Sequence, residues 1–320
     1  MGGNNEKSSS NTCVVAIDLG SNTLRSTWLE CAGGSFLGSY EKIVATADGL
    51  ARTGRISDDT LRRIVEALKE LSRAMPISKC IVRAVATEAL RRAENRDEIL
   101  EAIARETGIS FETISGEEEI RLAATAVMSR LGSIGIDSDS MVIVDIGGAS
   151  TEFYFHYGEK EFYRSFDIGI VTLSQSCHGV RSLMVEKLSR YMESVSDWIG
   201  EIFAKNGKTS LFVATAGTPT TVANFLFGGG YYRDYDPDRI NGVLLSLEDV
   251  AEAGKRLERM DEEERSRAVG AGRSDLIFAG IEIYLALFDL LGNKKCVVID
   301  DGLREGVALQ LCRKLGSLDN

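Results

Sequence analysis

Proline is scarce in this 320-residue chain: there are three, and no low-complexity tract separates its parts. A long Pro-rich or flexible linker is thereby excluded. Histidine is scarcer, with only His156 and His178. No cluster of metal-ligand spacing surrounds either, which argues against a histidine-based metal site. Positive charge is in deficit, 37 Lys and Arg against 48 Asp and Glu, for a net charge of −11. That field opposes general binding to DNA, RNA or an anionic membrane, so a polyanionic ligand must be met by a local basic patch. No CxxC occurs among Cys13, Cys31, Cys80, Cys177, Cys296 and Cys312. Several sit inside apolar strands, where a small buried thiol is the usual state. The expectation is therefore no disulfide, no structural zinc, and a reducing, cytoplasmic compartment. The most apolar stretch, Leu276 to Leu291, carries Glu282 and Asp289. It reads as a core helix, too short and too charged to span a bilayer. Residues 1–12 are polar and lack the apolar core of a signal peptide. Position 6 is Glu where a myristoylation motif has Ser or Thr, so a disordered tail is expected.

What is present is ordinary globular material, 44% hydrophobic and 27% charged, in a length sufficient for two domains. One stretch organises it. Val142 to Ile146 is an apolar strand bearing Asp145, followed by Gly147, Gly148, Ala149, Ser150, Thr151 and Glu152 before the next apolar run. Glycines let such a turn fold tightly and bring backbone N–H groups close to a ligand. Hydroxyls and N–H groups suit phosphate oxygens, and a flanking carboxylate suits Mg²⁺. A single loop of this kind is usually just a hairpin. Here it has an echo: Val14 to Ile17, then Asp18, Leu19, Gly20, Ser21, Asn22 and Thr23. Two copies imply a duplicated domain holding a phosphate chain between two loops.

The rest of the pattern agrees. Each loop opens a three-stranded meander, and helix and strand alternate after it, giving an α/β plan with βββαβαβα order about twice. Ser115 and Glu118 have capping-box spacing ahead of a helix. Capping and the helix dipole explain Glu118 and Glu117; Glu119 is left without such a task. A third turn, Ala216-Gly217-Thr218, leads from a strand into a helix and could offer another anion contact.

These residues resemble the exopolyphosphatase and guanosine pentaphosphate phosphohydrolase family, within the superfamily of sugar kinases, heat-shock ATPases and actin. The matching pieces run in order: Asp18 to Thr23 with Arg25, Ala84 to Arg91, Ser115 to Arg121, Asp145 to Glu152, Thr215 to Thr218, Arg273 to Gly280, and Asp301 to Gly306. The resemblance implies two ribonuclease-H-like domains around a central cleft. The expected division is 13–124 with 303–320 for one, and 125–302 for the other.

The resemblance also implies hydrolysis of the terminal phosphate of polyphosphate or guanosine pentaphosphate by a Mg²⁺-dependent homodimer. Glu119 would be the general base, with Glu118 as fallback. Asp145, Glu152 and Asp18 would hold Mg²⁺. Gly20, Ser21, Asn22, Gly147, Gly148, Ala149, Ser150, Gly217 and Thr218 would cradle phosphates, and Arg25, Arg91 and Arg273 would pair with phosphate oxygens. Three departures stand out: Ala149 where a third glycine is usual, Asn241 where His is common, and Ser274 in place of Ala. A nucleotide-sensing protein with little turnover, and an ATP-dependent kinase of the same fold, are the alternatives.

Overall fold

The computed structural model describes residues 12–227, 235–270 and 272–316. All but Thr12 of the tail expected at 1–12 lies outside the described residues. The first half runs β1 (Cys13–Leu19), β2 (Thr23–Glu30), β3 (Ser35–Ile43), α1 (Leu50–Thr53), α2 (Asp58–Ala74), β4 (Ile81–Ala86), α3 (Glu88–Arg92), α4 (Arg96–Thr107) and β5 (Phe111–Thr113). Next come α5 (Gly116–Ser133), β6 (Ser140–Ile146), β7 (Thr151–Tyr157), β8 (Lys160–Phe166), α6 (Ile170–Ser176), α7 (Arg181–Asn206), β9 (Leu211–Thr215) and α8 (Gly217–Leu226). The chain closes with α9 (Pro237–Ile240), β10 (Val243–Ser246), α10 (Leu247–Glu258), α11 (Glu262–Val269), α12 (Ile277–Leu291), β11 (Lys295–Val298) and α13 (Leu303–Lys314).

The first sheet has the order β3-β2-β1-β4-β5; the second is β8-β7-β6-β9-β11, extended by β10 at its far edge. Both are ribonuclease-H-like, with an antiparallel meander joined to parallel strands. The duplication is also one of register. Asp18 lies opposite Arg25, and Arg25 opposite Glu41. Asp145 lies opposite Glu152, and Glu152 opposite Ser165. Directly opposed residues share a sheet face, so each half carries a row of polar side chains across its first three strands.

Helix α5 is shared between the halves. Its Ile120, Ala124, Val127 and Leu131 pack with Met141, Ile143 and Tyr154 of the second sheet. Its Leu122 and Ala126 pack with Val14, Ala16 and Val307. Helix α13 thus returns to the first sheet beside α5. The two cross so closely at Gly306 that a Cβ there would fall on the Leu122 carbonyl. Behind the cleft, Arg130 of α5 grips Asp301 with two hydrogen bonds of 2.6 and 3.2 Å.

Two local expectations shift. Residues 35–46 read as one strand in the sequence, but β3 stops at Ile43, because Val44, Ala45 and Ala47 turn back and donate to the carbonyls of Asn22 and Ser21. The apolar run from Ile240 to Leu245 reads as a strand in the sequence, but the strand begins at Val243. Asp236 caps a short helix with Pro237 in its first turn, which uses up residues through Ile240. No described helix is long and apolar enough to cross a membrane.

The cysteine reading is corrected. Cys13 pairs with Cys80 and Cys31 with Cys312, their Cα atoms 4.9 and 5.3 Å apart. Cys177 and Cys296 are buried thiols. The partners are 67 and 281 residues apart in sequence, so local spacing carried no signal. Tertiary structure supplies it. Val14 lies opposite Ile81 in the parallel ladder, which brings the residues before them together. The inference of a reducing compartment loses its basis, because it rested on unpaired thiols. Cys31–Cys312 ties the end of β2 to α13. Cys312→Ser should lower unfolding stability by about 2–5 kcal/mol in urea titration without reductant. Reductant should lower the wild type at least as far.

Candidate active site

The cleft between the sheets is built from the ends of their first strands. Two loops face each other across it. In each, a glycine N–H closes the turn by donating to a carbonyl three residues on: Gly20 to Thr23 and Gly147 to Ser150, both at 3.0 Å. In each, a segment after the third strand pins the loop carbonyls. Val44, Ala45 and Ala47 bond Asn22 and Ser21; Ile170 and Val171 bond Gly147 and Gly148. With the carbonyls so engaged, the N–H groups of Ser21, Asn22 and Gly148 find no partner among the described residues. Free N–H groups of this kind form an anion-binding nest. The loops also touch. A Cβ on Gly148 would lie 2.9 Å from the Ser21 Cβ, so only glycine lets them approach this closely.

The cleft is lined by Asp18, Gly20, Ser21, Asn22, Arg25, Glu119, Asp145, Gly147, Gly148, Ser150, Gly217, Thr218 and Arg273, all named from sequence. It encloses about 110 Å³, several times what one water needs. Four expected residues, Glu118, Ala149, Arg91 and Glu152, are not among those lining it. Glu118 points away from the cleft and pairs with Arg83 at 2.9 Å. Its backbone N–H still donates to Ser115 Oγ at 3.1 Å, so only half of the expected capping box forms. Ala149 is buried behind its loop, its carbonyl accepting from Thr172 Oγ1 at 3.3 Å. Its φ is not positive, which is why a methyl is accommodated there. Arg91 donates from Nη1 to Glu119 Oε2 at 2.8 Å and to the Ile114 carbonyl at 2.8 Å, and pairs with Glu88 at 2.7 Å. It holds Glu119 from behind.

Four carboxyls surround this space, Asp18 and Glu152 buried and Asp145 and Glu119 half-buried. Burial, reinforced by Glu152, raises the Glu119 carboxyl well above the usual range, although Arg91 opposes the shift. Burial pushes Asp18 up to about 7 against Arg25, with Asp145 adding to the rise. Asp145 rises to about 6 through burial, with Arg25 opposing. Glu152 rises to about 8 through burial and its neighbour Asp145. Glu152 is also anchored by a 2.8 Å hydrogen bond from Ser165 Oγ.

Such crowding of like charge is what a divalent cation relieves. Among the described residues no three His, Cys, Asp or Glu side chains stand together as a ready-made metal cluster. Asp145, Glu152 and Asp18 are therefore not a preassembled triad. Mg²⁺ does not require one, since it usually takes one or two carboxylates with waters and substrate phosphates. Asp145 and Asp18, both lining the cleft, fit that demand, and Asp18 Oδ1 is buried without a hydrogen-bond partner.

The third turn carries strain. Ala216, which precedes α8, has φ 74° and ψ −170°, a region that favours glycine. Strain of this kind, held beside a cleft, marks a backbone kept in place for function. Ala216→Gly should stabilise the protein by about 1 kcal/mol, read as a higher urea midpoint.

Three contributors escaped the sequence reading. Glu41 bridges Arg25 and Arg273. Glu88 lines the cleft and holds Arg91. Arg304, at the start of α13, pairs with Asp300 and Glu305. Asn241, which stands where His is common, accepts a 2.7 Å hydrogen bond from the Asp300 N–H and supports that last network.

Comparison with known proteins matches the model of the Ppx/GppA phosphatase family over residues 32–315. Exopolyphosphatase 2 of Mycobacterium tuberculosis is 28% identical, over 94% of this chain and 98% of that protein. The Aquifex aeolicus PPX-GPPA enzyme superposes with a TM-score of 0.74 at 32% identity, covering 93% of this chain and 99% of the other. An exopolyphosphatase from Cytophaga hutchinsonii gives 0.83 at 21% identity, over 95% and 98% of the two chains, and shares the fold.

Proposed function

The chain belongs to the Ppx/GppA phosphatase family, and from that premise we propose that it hydrolyses the terminal phosphoanhydride bond of inorganic polyphosphate or guanosine pentaphosphate. The observation that carries this reading is the placement of Glu119. It is the one member of its acidic trio that lines the cleft, its carboxyl is raised by burial, and Arg91 fixes its orientation. A carboxylate in that position can take a proton from a water aimed at phosphorus.

In the proposed reaction the terminal phosphate lies in the nest of Ser21, Asn22 and Gly148. Arg25 and Arg273 neutralise its oxygens through their guanidinium forks. Water oxygen bonds to the terminal phosphorus while the bridging P–O bond breaks. The bond's electron pair leaves with the shortened chain, and the water proton passes to Glu119. Mg²⁺, held by Asp145 and Asp18, would supply charge neutralisation to the phosphoryl oxygens when bound. Transfer of this kind is mostly positioning and electrostatics.

The small cavity favours an end-on phosphate chain. Sites for drug-sized ligands enclose about 300–1,000 Å³, whereas a chain end needs room for a phosphoryl group only. The test is purified protein with Mg²⁺, offered tripolyphosphate, long polyphosphate, guanosine pentaphosphate, and ATP with sugars, with orthophosphate measured. Orthophosphate from an anhydride without an acceptor sugar supports hydrolysis. Tight nucleotide binding with no release favours a sensing role instead.

A further inference from the structure

The two arginines that would meet the terminal phosphate are already occupied by an anion of the protein's own. Glu41 lies opposite Arg25 in the β2–β3 ladder. Its Oε2 is 3.2 Å from Arg25 Nε, and its Oε1 accepts from Arg273 Nη2. The three side chains form an arginine–carboxylate–arginine bridge. Arg25 and Glu41 belong to the first sheet. Arg273 leads into α12, whose core contacts are with the second. The bridge therefore spans the cleft, and it accompanies the touching loops at Ser21 and Gly148.

The register of the duplicated halves shows how unusual this carboxylate is. The position equivalent to Glu41 in the second half is Ser165, which supports Glu152 with a neutral hydroxyl. In the first half the corresponding support is itself charged. A carboxylate resembles one edge of a phosphate, with two oxygens that can accept from guanidinium donors. Arg273 cannot give the same donor to Glu41 and to a phosphate at once, and the Glu41 charge offsets that of Arg25, whose Nε lies at ion-pair distance without a hydrogen bond.

We propose that Glu41 is a built-in competitor for the arginines, holding the cleft closed in the free protein and selecting for multiply charged phosphate chains over single weak anions. This deepens the reading of the cleft as a phosphoanhydride site and rests on it. A chain end carries more charge than the single carboxylate and gains further contacts in the nest, so it displaces Glu41. Orthophosphate, the product, gains less and is readily expelled when Glu41 returns. Glu41 is in this sense a specificity-determining residue that acts through the arginines.

The experiment is isothermal calorimetry with orthophosphate and tripolyphosphate on Glu41→Gln, alongside steady-state phosphate release. Gln keeps the shape and removes the charge. Orthophosphate should bind Glu41→Gln about tenfold more tightly, with competitive product inhibition tightened to match. KM for tripolyphosphate should fall, but by a smaller factor than the orthophosphate constant. Glu41→Asp, charged but too short to span both arginines, should lie between. In an Arg273→Gln background the gain from Glu41→Gln should shrink to less than about twofold, because the contested donor is gone. Unchanged or weaker orthophosphate binding in a folded Glu41→Gln protein would overturn the proposal, since Glu41 would then be presenting the arginines rather than competing for them. The calorimetry needs no turnover. If wild type releases no phosphate from any anhydride, the hydrolase reading fails on its own, and the competition is still decided by orthophosphate.

Discussion

Glu119→Gln should lower phosphate release from polyphosphate by about 10²–10⁴-fold while leaving substrate affinity within a few-fold of wild type. The amide preserves the size of the side chain and a hydrogen-bonding oxygen for Arg91. It cannot accept a proton at a useful pH. The decisive companion is Glu118→Gln. Glu118 sits next in sequence but faces Arg83 on the far side of α5, so that variant should turn over nearly as fast as wild type. Steady-state kinetics on the pair separate the two. If Glu119→Gln retains activity and Glu118→Gln loses it, the assignment of the base is wrong.

The second large effect is expected at Asp145. Asp145→Asn removes one of the two carboxylates that would face Mg²⁺ from the cleft walls. Loss of cation-mediated charge neutralisation is worth several kcal/mol, so kcat should fall by about 10³-fold. Millimolar Mg²⁺ should raise the thermal midpoint of the wild type, and the same variant should lose that rise, a readout independent of turnover. A variant that loses activity but keeps its Mg²⁺-dependent stabilisation would place the cation elsewhere. The pattern at Ser165 would look different: Ser165→Ala removes only the hydroxyl that anchors Glu152.

The sequence made the strands and loops of both halves legible because the duplicated Asp-Gly-hydroxyl pattern repeats at the same point of each meander. Asp18 and Asp145 fall at matching ladder positions, as the echo implies. Glu119 was legible for a different reason: capping accounted for its neighbours and left it over. Glu41 was not legible. Counted straight back from the Gly33-Gly34 turn, Arg25 would oppose Tyr40. A register shift between Trp28 and Leu29 moves the pairing by one residue and brings Glu41 opposite instead. A one-residue slip reverses every side chain's face, so straight counting puts Glu41 on the face opposite to Arg25, whereas the shifted register puts them side by side. Arg91 was legible as a cation near the site but not in its direction, which depends on Glu88 and the Ile114 carbonyl. The disulfides were hidden because the contacts that bring their cysteines together are tertiary.

In the proposed reaction, burial would let a few cations meet a polyanionic ligand despite a net charge of −11. Arg25, Arg273 and Arg304 are half-buried or buried, where each interacts more strongly than an exposed cation would. Acidic residues on the outer surface are separated from them by protein and screened by salt.

The most direct test of a base-activated water at the terminal phosphorus is an isotope measurement. Wild-type protein is given tripolyphosphate and Mg²⁺ in heavy-oxygen water, and the products of a single turnover are weighed by mass spectrometry. One heavy oxygen in the released orthophosphate, with none in the pyrophosphate left behind, is the expected result. Label in the pyrophosphate, or orthophosphate formed without label, would contradict attack by water at the chain end.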